Sequence, residues 1–146
     1  MTREDVVKAL RAHMQSKLDQ VMPNSEGVNK KYIEEAYFTR KAKLEAILAK
    51  PMTTKPSSSI DDESIVFLHI ETIDSNSKKW TDDRVICFFP GLDGVVGLFT
   101  CMGQTVFGRE LGSDFRGKVV GDHIKDSYEA HMGYSIDEIT TIVKII

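Results

Sequence analysis

The sequence predicts an α+β fold: an N-terminal helical hairpin, a linker, an antiparallel sheet of four to five strands, and one or two C-terminal helices. Three observations predict it. Apolar residues recur at helical spacing before residue 50, and a segment rich in proline and serine follows. Residues 85–108 then carry one charged side chain, Asp93, with both cysteines, four of the seven phenylalanines and five of the ten glycines. We expect the sheet core to form there.

Length and charge exclude several classes of protein. With 146 residues, the chain is long enough for one domain with its own hydrophobic core. Its net charge of −3 argues against a sequence-independent grip on nucleic acid, which needs a basic face. Pro90 and several glycines interrupt the low-charge segment, so we do not expect it to cross a membrane. The polar N-terminus does not resemble a signal peptide and two cysteines make no disulfide framework, which favours a cytoplasmic location.

Two helices are predicted at the N-terminus. Thr2 is a candidate N-cap, with Asp5 placed as in a capping box, and Pro23 ends the first helix. A second helix is expected from about residue 25 to residue 49, before Pro51. The short connection favours an antiparallel hairpin. The expected apolar faces are Val6, Val7, Leu10, Met14, Leu18 and Val21 in the first helix, and Val28, Ile33, Ala36, Tyr37, Leu44, Ile47 and Leu48 in the second.

A linker is predicted after the helices. Residues 50–62 hold two prolines and three consecutive serines, a composition typical of extended, mobile chain. We therefore expect a helical arm at residues 1–50, a linker at residues 51–62 and an α+β core at residues 63–146, together forming one domain. A loosely attached arm is compatible with this division.

Four strands are expected in the core. The first covers residues 65–73, and polar residues 74–83 form a loop that contains Trp80. Residues 84–89 and 95–102 form a hairpin across Asp93-Gly94, the dipeptide most typical of a tight turn between strands. Residues 105–111 add another strand. The expected result is an antiparallel meander.

This hairpin leaves the relation between the two cysteines open. With a two-residue turn, Cys87 and Cys101 lie on opposite faces of the sheet. With an odd-numbered loop centred on Gly94, they face one another at a separation compatible with a disulfide. We favour two buried thiols that pack as small hydrophobic groups.

The last third of the sequence gives mixed signals. Residues 122–132 are predicted to form a helix ended by Gly133, and the spacing of Ser135 and Glu138 suggests a second, short helix. Residues 139–146, however, have strong β character. Whether this last segment is helix or strand stays open.

One polar segment is a candidate anion site. Residues 109–118 carry guanidinium and ammonium groups among glycines, and such forks and exposed amides bind carboxylate or phosphate. The competing interpretation, which we favour, is a solvated loop in which Glu110 and Asp114 neutralise those charges. The candidate anion-binding residues are Arg109, Ser113, Arg116, Lys118 and His123.

No metal, cofactor or catalytic motif emerges. The glycines at positions 91, 94 and 97 do not match a phosphate-binding loop, and turn chemistry explains them. On a helix, His123 and His131 would lie about 12 Å apart, too far to share a metal. The acidic residues at positions 61–63 are typical of a solvated strand entry. We expect no cofactor.

Aromatic residues in polar surroundings favour an interaction role, because rigid rings are enriched where proteins bind one another. We therefore expect a small soluble non-enzymatic interaction protein, an inhibitor, adaptor or assembly subunit that binds another macromolecule or self-associates. The alternative is a small enzyme or ligand-binding domain for an anionic small molecule, using residues 109–118 with His123 or His131. The candidate interaction residues are Tyr32, Tyr37, Trp80, Tyr128 and Tyr134.

Overall fold

The computed structural model describes residues 1–20, 27, 29–52, 58–130 and 133–146, and it is an α+β fold with two helices and one six-stranded mixed sheet. The strand order is β3-β4-β2-β1-β6-β5. The helices are α1 (Arg3–Leu18) and α2 (Lys30–Ala49), and the strands are β1 (Ile65–Asp74), β2 (Lys79–Phe88), β3 (Gly97–Cys101), β4 (Gln104–Arg109), β5 (His123–Glu129) and β6 (Ser135–Ile145).

Helix α1 begins where the sequence predicts. The Thr2 hydroxyl accepts the Asp5 amide at 3.2 Å, and the Asp5 carboxylate accepts the Thr2 amide at 2.8 Å, which completes the capping box. These bonds hold the pKa of Asp5 below its usual value. Val6, Leu10 and Met14 are fully buried, which is the face expected from their spacing.

The two helices form an antiparallel pair, as predicted. The Arg11 guanidinium donates to the carbonyls of Leu48, at 3.2 Å, and Lys50, at 3.0 Å. At the other end of the pair, the Tyr37 hydroxyl donates to the Gln20 carbonyl at 3.1 Å. Helix α2 begins at Lys30 rather than near residue 25; residues 21–26 and 28, including Val21 and Val28, lie outside the described residues.

The predicted loop at residues 74–83 is wrong, because β1 and β2 form a long antiparallel hairpin across a tight turn. The Asp74 carboxylate accepts the backbone amides of Asn76 and Lys78, both at 2.9 Å. Ser77 completes the turn with a positive φ of 63°. Trp80 therefore lies in β2. The Asp74 carboxylate stabilises this turn, so the polar residues 79–83 that follow pair with β1 as a strand.

The predicted hairpin across Asp93-Gly94 is also wrong. Strands β2 and β3 do not pair; β4 lies between them, antiparallel to β3 and parallel to β2. The intervening residues 89–96 fold as consecutive turns, in which the Leu92 carbonyl accepts the amides of Val95 and Val96 at 3.1 and 3.3 Å. All three of these side chains are buried. Because these side chains are buried, residues 89–96 form a crossover that carries the chain to the sheet edge instead of a tight turn. Strand β4 then pairs parallel to β2, so the sheet is mixed rather than antiparallel.

The predicted C-terminal helices are likewise wrong. Residues 123–129 and 135–145 form the strands β5 and β6, and β6 lies between β1 and β5 in the sheet. Ile142 is fully buried there. The spacing of Ser135 and Glu138 is that of a helix start, but no helix forms there. The β-branched residues that follow favour a strand, and that strand pairs with β1 along its length. His131 and Met132 lie outside the described residues.

The two faces of the sheet carry separate hydrophobic clusters. The helices cover one face, which we call the helical face; the second cluster, on the far face, is covered by the segments around Ile60 and Phe115. Alternation along each strand separates the two sets of side chains. Buried strand residues of the helical face are Ile65, Val85, Cys87, Phe99, Cys101 and Val106, and those of the far face are Val66, Leu68, Ile70, Ile86, Phe88 and Ile142.

The cysteines are free and buried, as favoured from the sequence. Neither hairpin alternative applies, because Cys87 is aligned with Ile65 and Gly108, whereas Cys101 is aligned with Gln104. Burial raises the pKa of Cys87 to about 12, and it also raises the pKa of Cys101. Thiols of this kind are poor nucleophiles.

The helical arm expected at residues 1–50 shares its core with the sheet, since α1 and the strand residues of the helical face belong to one cluster. The division into arm, linker and core stays a prediction. None of the described helices is both long and apolar enough to span a bilayer.

Candidate interaction surface

Both arginines of the candidate anion segment make contacts outside it. Arg116 pairs with the Asp62 carboxylate at 2.6 Å. The Arg109 guanidinium lies 5.9 Å from the ring centre of Phe88 and 6.0 Å from that of Phe115, within cation–π range. Arg109 and Arg116 thus help to hold residues 109–118 onto the far face.

Of the other candidate anion ligands, His123 lies on the opposite face of the sheet from Arg109. Ser113 is exposed, and the backbone carbonyl of Lys118 accepts the Ile60 amide at 2.8 Å. His123 lies on β5, where its Nδ1 and the Thr141 hydroxyl are 2.9 Å apart. The register places Thr141 opposite His69, on the helical face, away from Arg109. Anion binding by this segment stays a prediction.

Glu110 acts differently from the neutralising role expected of it. Its carboxylate accepts the Gly91 amide at 2.7 Å, and its own amide donates to the Asp93 carboxylate at 2.8 Å. These reciprocal bonds tie the crossover at residues 89–96 to the end of β4. Asp62 supplies the charge partner for Arg116, a contact across more than fifty residues that no local pattern indicates.

A histidine–carboxylate pair lies on the helical face beyond the helices. His69 Nδ1 is 2.7 Å from the Asp83 carboxylate, and its Nε2 is 3.7 Å from that of Glu71. The hydrogen bond with Asp83 raises the pKa of His69. In the part of the chain that the structure describes, no three histidine, cysteine or acidic side chains are arranged to hold a metal ion.

Three of the candidate aromatic residues lie on or beside the strands. Trp80 and Tyr128 belong to β2 and β5, and both are partly exposed, as is Tyr134 just before β6. The Tyr128 hydroxyl is 3.4 Å from the Glu138 carboxylate, and the pKa of Tyr128 is raised, mainly by burial. Tyr32 and Tyr37, in contrast, lie on α2.

The N-terminal half of α2 is the most exposed apolar element. None of residues 30–43 is buried, and the first buried residue of α2 is Leu44. Tyr32 is 74% exposed and Phe38 57%. The predicted apolar face is therefore wrong for Ile33 and Ala36, which are exposed. The pairing of Tyr37 with Gln20 explains this, because residues 30–36 extend past the end of α1.

A groove separates this half of α2 from the crossover. It has a volume of about 640 Å³, and its floor at the crossover is Gly94 and Val95. Within the described residues, neither of its two cations, Arg40 and Lys43, forms an ion pair. We call this the α2 groove; its lining residues on the helix are Tyr32, Ile33, Glu35, Ala36, Tyr37, Thr39, Arg40 and Lys43.

A second hollow continues the α2 groove toward the sheet edge. Its volume is about 270 Å³, and it shares Arg40, Gly94 and Val95 with the α2 groove. Lys17 from α1 and Phe107 from β4 complete its walls beside Gly97, the first residue of β3. Asp93 also lines it, but that carboxylate already accepts the Glu110 amide. The hollow thus presents two cations, Lys17 and Arg40, and one hydrogen-bonded carboxylate, Asp93, at the start of the edge strand.

Comparisons with known proteins identify no family. No protein-family model matches the chain, and no curated protein does. One solved structure, from work on promiscuous substrate recognition in the folding and assembly activities of the trigger factor chaperone, is similar with a TM-score of 0.45 and 13% identity. The match covers 88% of this chain and 27% of that one. A likeness this weak carries no argument about function.

Proposed function

We propose that this chain is a non-enzymatic interaction protein that binds an acidic, apolar segment of another protein in the α2 groove. The observation that carries the proposal is the exposure of the N-terminal half of α2, where Tyr32 is 74% exposed beside two cations without ion-pair partners among the described residues. Monomeric proteins rarely leave an aromatic-lined groove open, and such surfaces are typical binding sites.

The charge distribution supports an acidic partner. Residues 1–50 carry ten Lys and Arg against seven Asp and Glu, whereas residues 51–146 carry nine against fifteen. The groove lies mainly on the basic part, and its two cations, Arg40 and Lys43, outnumber its one carboxylate, Glu35. Complementary charge speeds association and excludes partners of the same sign. Tyr32 and Tyr37 provide rigid rings that anchor an apolar side chain at small entropic cost.

A peptide selection tests this function. A library of random peptides, about ten residues long, is displayed on phage and selected on the immobilised full-length protein. We expect the recovered peptides to combine Asp or Glu with aliphatic or aromatic residues. Recovery of no enriched sequence, or enrichment of Lys and Arg, would contradict the proposal.

Variants then locate the binding. For a selected peptide, Tyr32→Ala is expected to weaken affinity about thirtyfold, as for an interface anchor. Replacing Arg40 and Lys43 together by Ala is expected to weaken it about tenfold and to remove most of its salt dependence. Lys31→Ala is the matched control, since Lys31 is exposed on the same helix and does not line the groove. Fluorescence anisotropy measures all three; equal losses in the control would place binding elsewhere.

A further inference from the structure

The two edges of the sheet differ sharply in charge. The β5 edge, HIKDSYE, carries Lys125, Asp126 and Glu129 together with His123. The β3 edge, GLFTC, carries no charged residue, and neither does the whole of residues 94–108. Charged side chains, prolines and bulges are the usual means of preventing an edge strand from pairing with other chains. Strand β5 carries charged side chains of this kind. Strand β3 has no charged side chain, no proline and no bulge.

The backbone of β3 is open on its outer side. Its five residues pair with β4 without a register shift, and among the described residues β3 makes no backbone hydrogen bond to any other element. Leu98 is 62% exposed, and its cross-strand partner Phe107 is 41% exposed. Phe107 is aligned with Ile86, so this apolar pair lies on the far face, which the helices do not cover. An incoming strand would find unpaired amides and carbonyls flanked by apolar surface.

The edge also meets the proposed binding site. Gly97 begins β3 and lines the hollow that contains Lys17 and Arg40, and this hollow shares Arg40 with the α2 groove. An extended segment lying along β3 would therefore carry its uncharged part past Leu98 and bring a flanking carboxylate to the two cations. The α2 groove and the β3 edge thus form one continuous surface.

We propose that the partner segment binds by strand addition, as a seventh strand beside β3, with uncharged apolar residues along the edge and acidic residues at its Gly97 end. The inference rests on the proposed function, because it assigns the binding mode of the same partner. Main-chain hydrogen bonds give such complexes their affinity, and alternate side chains give their specificity. Leu98 and Phe107 supply the contact on the far face.

Backbone methylation of the partner peptide tests this mode directly. In an added strand, alternate amides point toward β3 and the others point away from it. A peptide recovered from the selection is synthesised in two versions, with N-methyl groups on one alternate set of amides or on the other. We expect one version to lose affinity at least about tenfold while the other stays within about twofold. Equal affinities for the two versions would overturn strand addition.

A charge placed on the edge provides an independent test. Leu98→Lys is expected to weaken peptide binding about tenfold, whereas Glu129→Lys, at an exposed position of the β5 edge, changes the affinity less than about twofold. Both side chains are exposed, so the fold is expected to tolerate the changes, and circular dichroism checks this. An empty selection would overturn the proposed function itself, whereas a selected peptide insensitive to both methylation patterns would overturn strand addition alone. A dimer that Leu98→Lys dissociates would assign the edge to a second copy and also overturn this proposal.

Discussion

At the scale of the residue, His13 shows how burial changes the chemistry of one side chain. It lies on α1 with its ring 5.9 Å from that of Phe99 on β3, and its Nε2 is buried with no hydrogen-bond partner among the described residues. Burial lowers the pKa of His13 below the usual value of 6.5, the nearby Lys17 lowers it further, and a backbone hydrogen bond with Val96 offsets part of this. The neutral ring therefore suits this position, and the charged ring does not.

We expect acid to weaken the packing of α1 against β3 through His13. Because its folded pKa is lowered, the stability that neutral His13 contributes is complete above pH 6.5 and is lost as the pH falls through the folded pKa. The pH dependence expected from His69 is opposite, because its pKa is raised. The stability that charged His69 contributes is complete below pH 6.5 and is lost as the pH rises through the folded pKa. A loss on acidification therefore has the sign expected of His13 and not that of His69.

Urea unfolding at neutral pH and at about pH 5 measures this effect. The wild type is expected to lose more stability over that interval than His13→Phe, which keeps a ring beside Phe99 without a titrating group. An equal loss in both proteins would show that His13 does not couple stability to pH.

At the scale of the element, the crossover at residues 89–96 decides the strand order. It places β3 at the edge and lets β4 run parallel to β2. Gly91, with φ of 90°, lies against the Ile47 side chain, where an added Cβ would be 3.3 Å away. The Glu110 and Asp93 carboxylates hold the crossover to the end of β4. A turn-forming segment thus acts as a structural joint between two strands that do not pair.

Asp93→Ala should loosen this joint. It leaves the Glu110 amide without its acceptor, so we expect the free energy of unfolding to fall by about 1 kcal/mol. Asp114→Ala is the control, since Asp114 is exposed and its carboxylate forms no ion pair among the described residues. Chemical denaturation compares the two. A loss no greater than that of the control would mean that the buried Leu92, Val95 and Val96 hold the crossover alone.

At the scale of the whole molecule, the N-terminal helices cover the sheet rather than stand apart from it. Val6, Leu10 and Met14 have no exposed surface, and they share one cluster with strand residues such as Phe99 and Val106. The N-terminal half of α2, by contrast, contributes no buried side chain. The molecule therefore combines a helical part that packs in the core with a helical part whose side chains are largely exposed.

Leu10→Ala separates these two roles. If α1 belongs to the core, the truncation should lower the free energy of unfolding by about 2–5 kcal/mol, the usual cost of a cavity at a fully buried leucine. Lys8→Ala, on the exposed side of the same helix, should change it by less than about 0.5 kcal/mol. A single unfolding transition is expected. A small effect of Leu10→Ala would instead support a detachable arm.

The candidate binding surface was only partly predictable from the sequence. Tyr32 and Tyr37 stand out as aromatic residues among charges, but the same spacing placed Ile33 and Ala36 on a buried face. Ile33 and Ala36 are exposed because α1 ends before it reaches them. The hydrogen bond from Tyr37 to the Gln20 carbonyl marks that end. The sequence indicates that an edge strand as apolar as residues 95–101 needs a cover, from the same chain or from another. It does not give the position of this strand at the margin, which depends on β4 entering beside β2.

Local sequence patterns were enough to predict the α+β class, the capped start and buried face of α1, and the burial of both thiols. Those features depend on interactions between residues a few positions apart or on the hydrophobicity of one segment. Both can be recognised within a short window of sequence. The tertiary structure alone decided the strand order, the mixed pairing and the strand conformation of the C-terminal segment. Residues 66 and 145 pair in the sheet although most of the core lies between them in the chain. Pairing of this kind depends on residues that are distant in the chain, so local patterns do not express it. The free energy of such pairing and packing exceeds that of a local helical propensity, and the strand therefore forms.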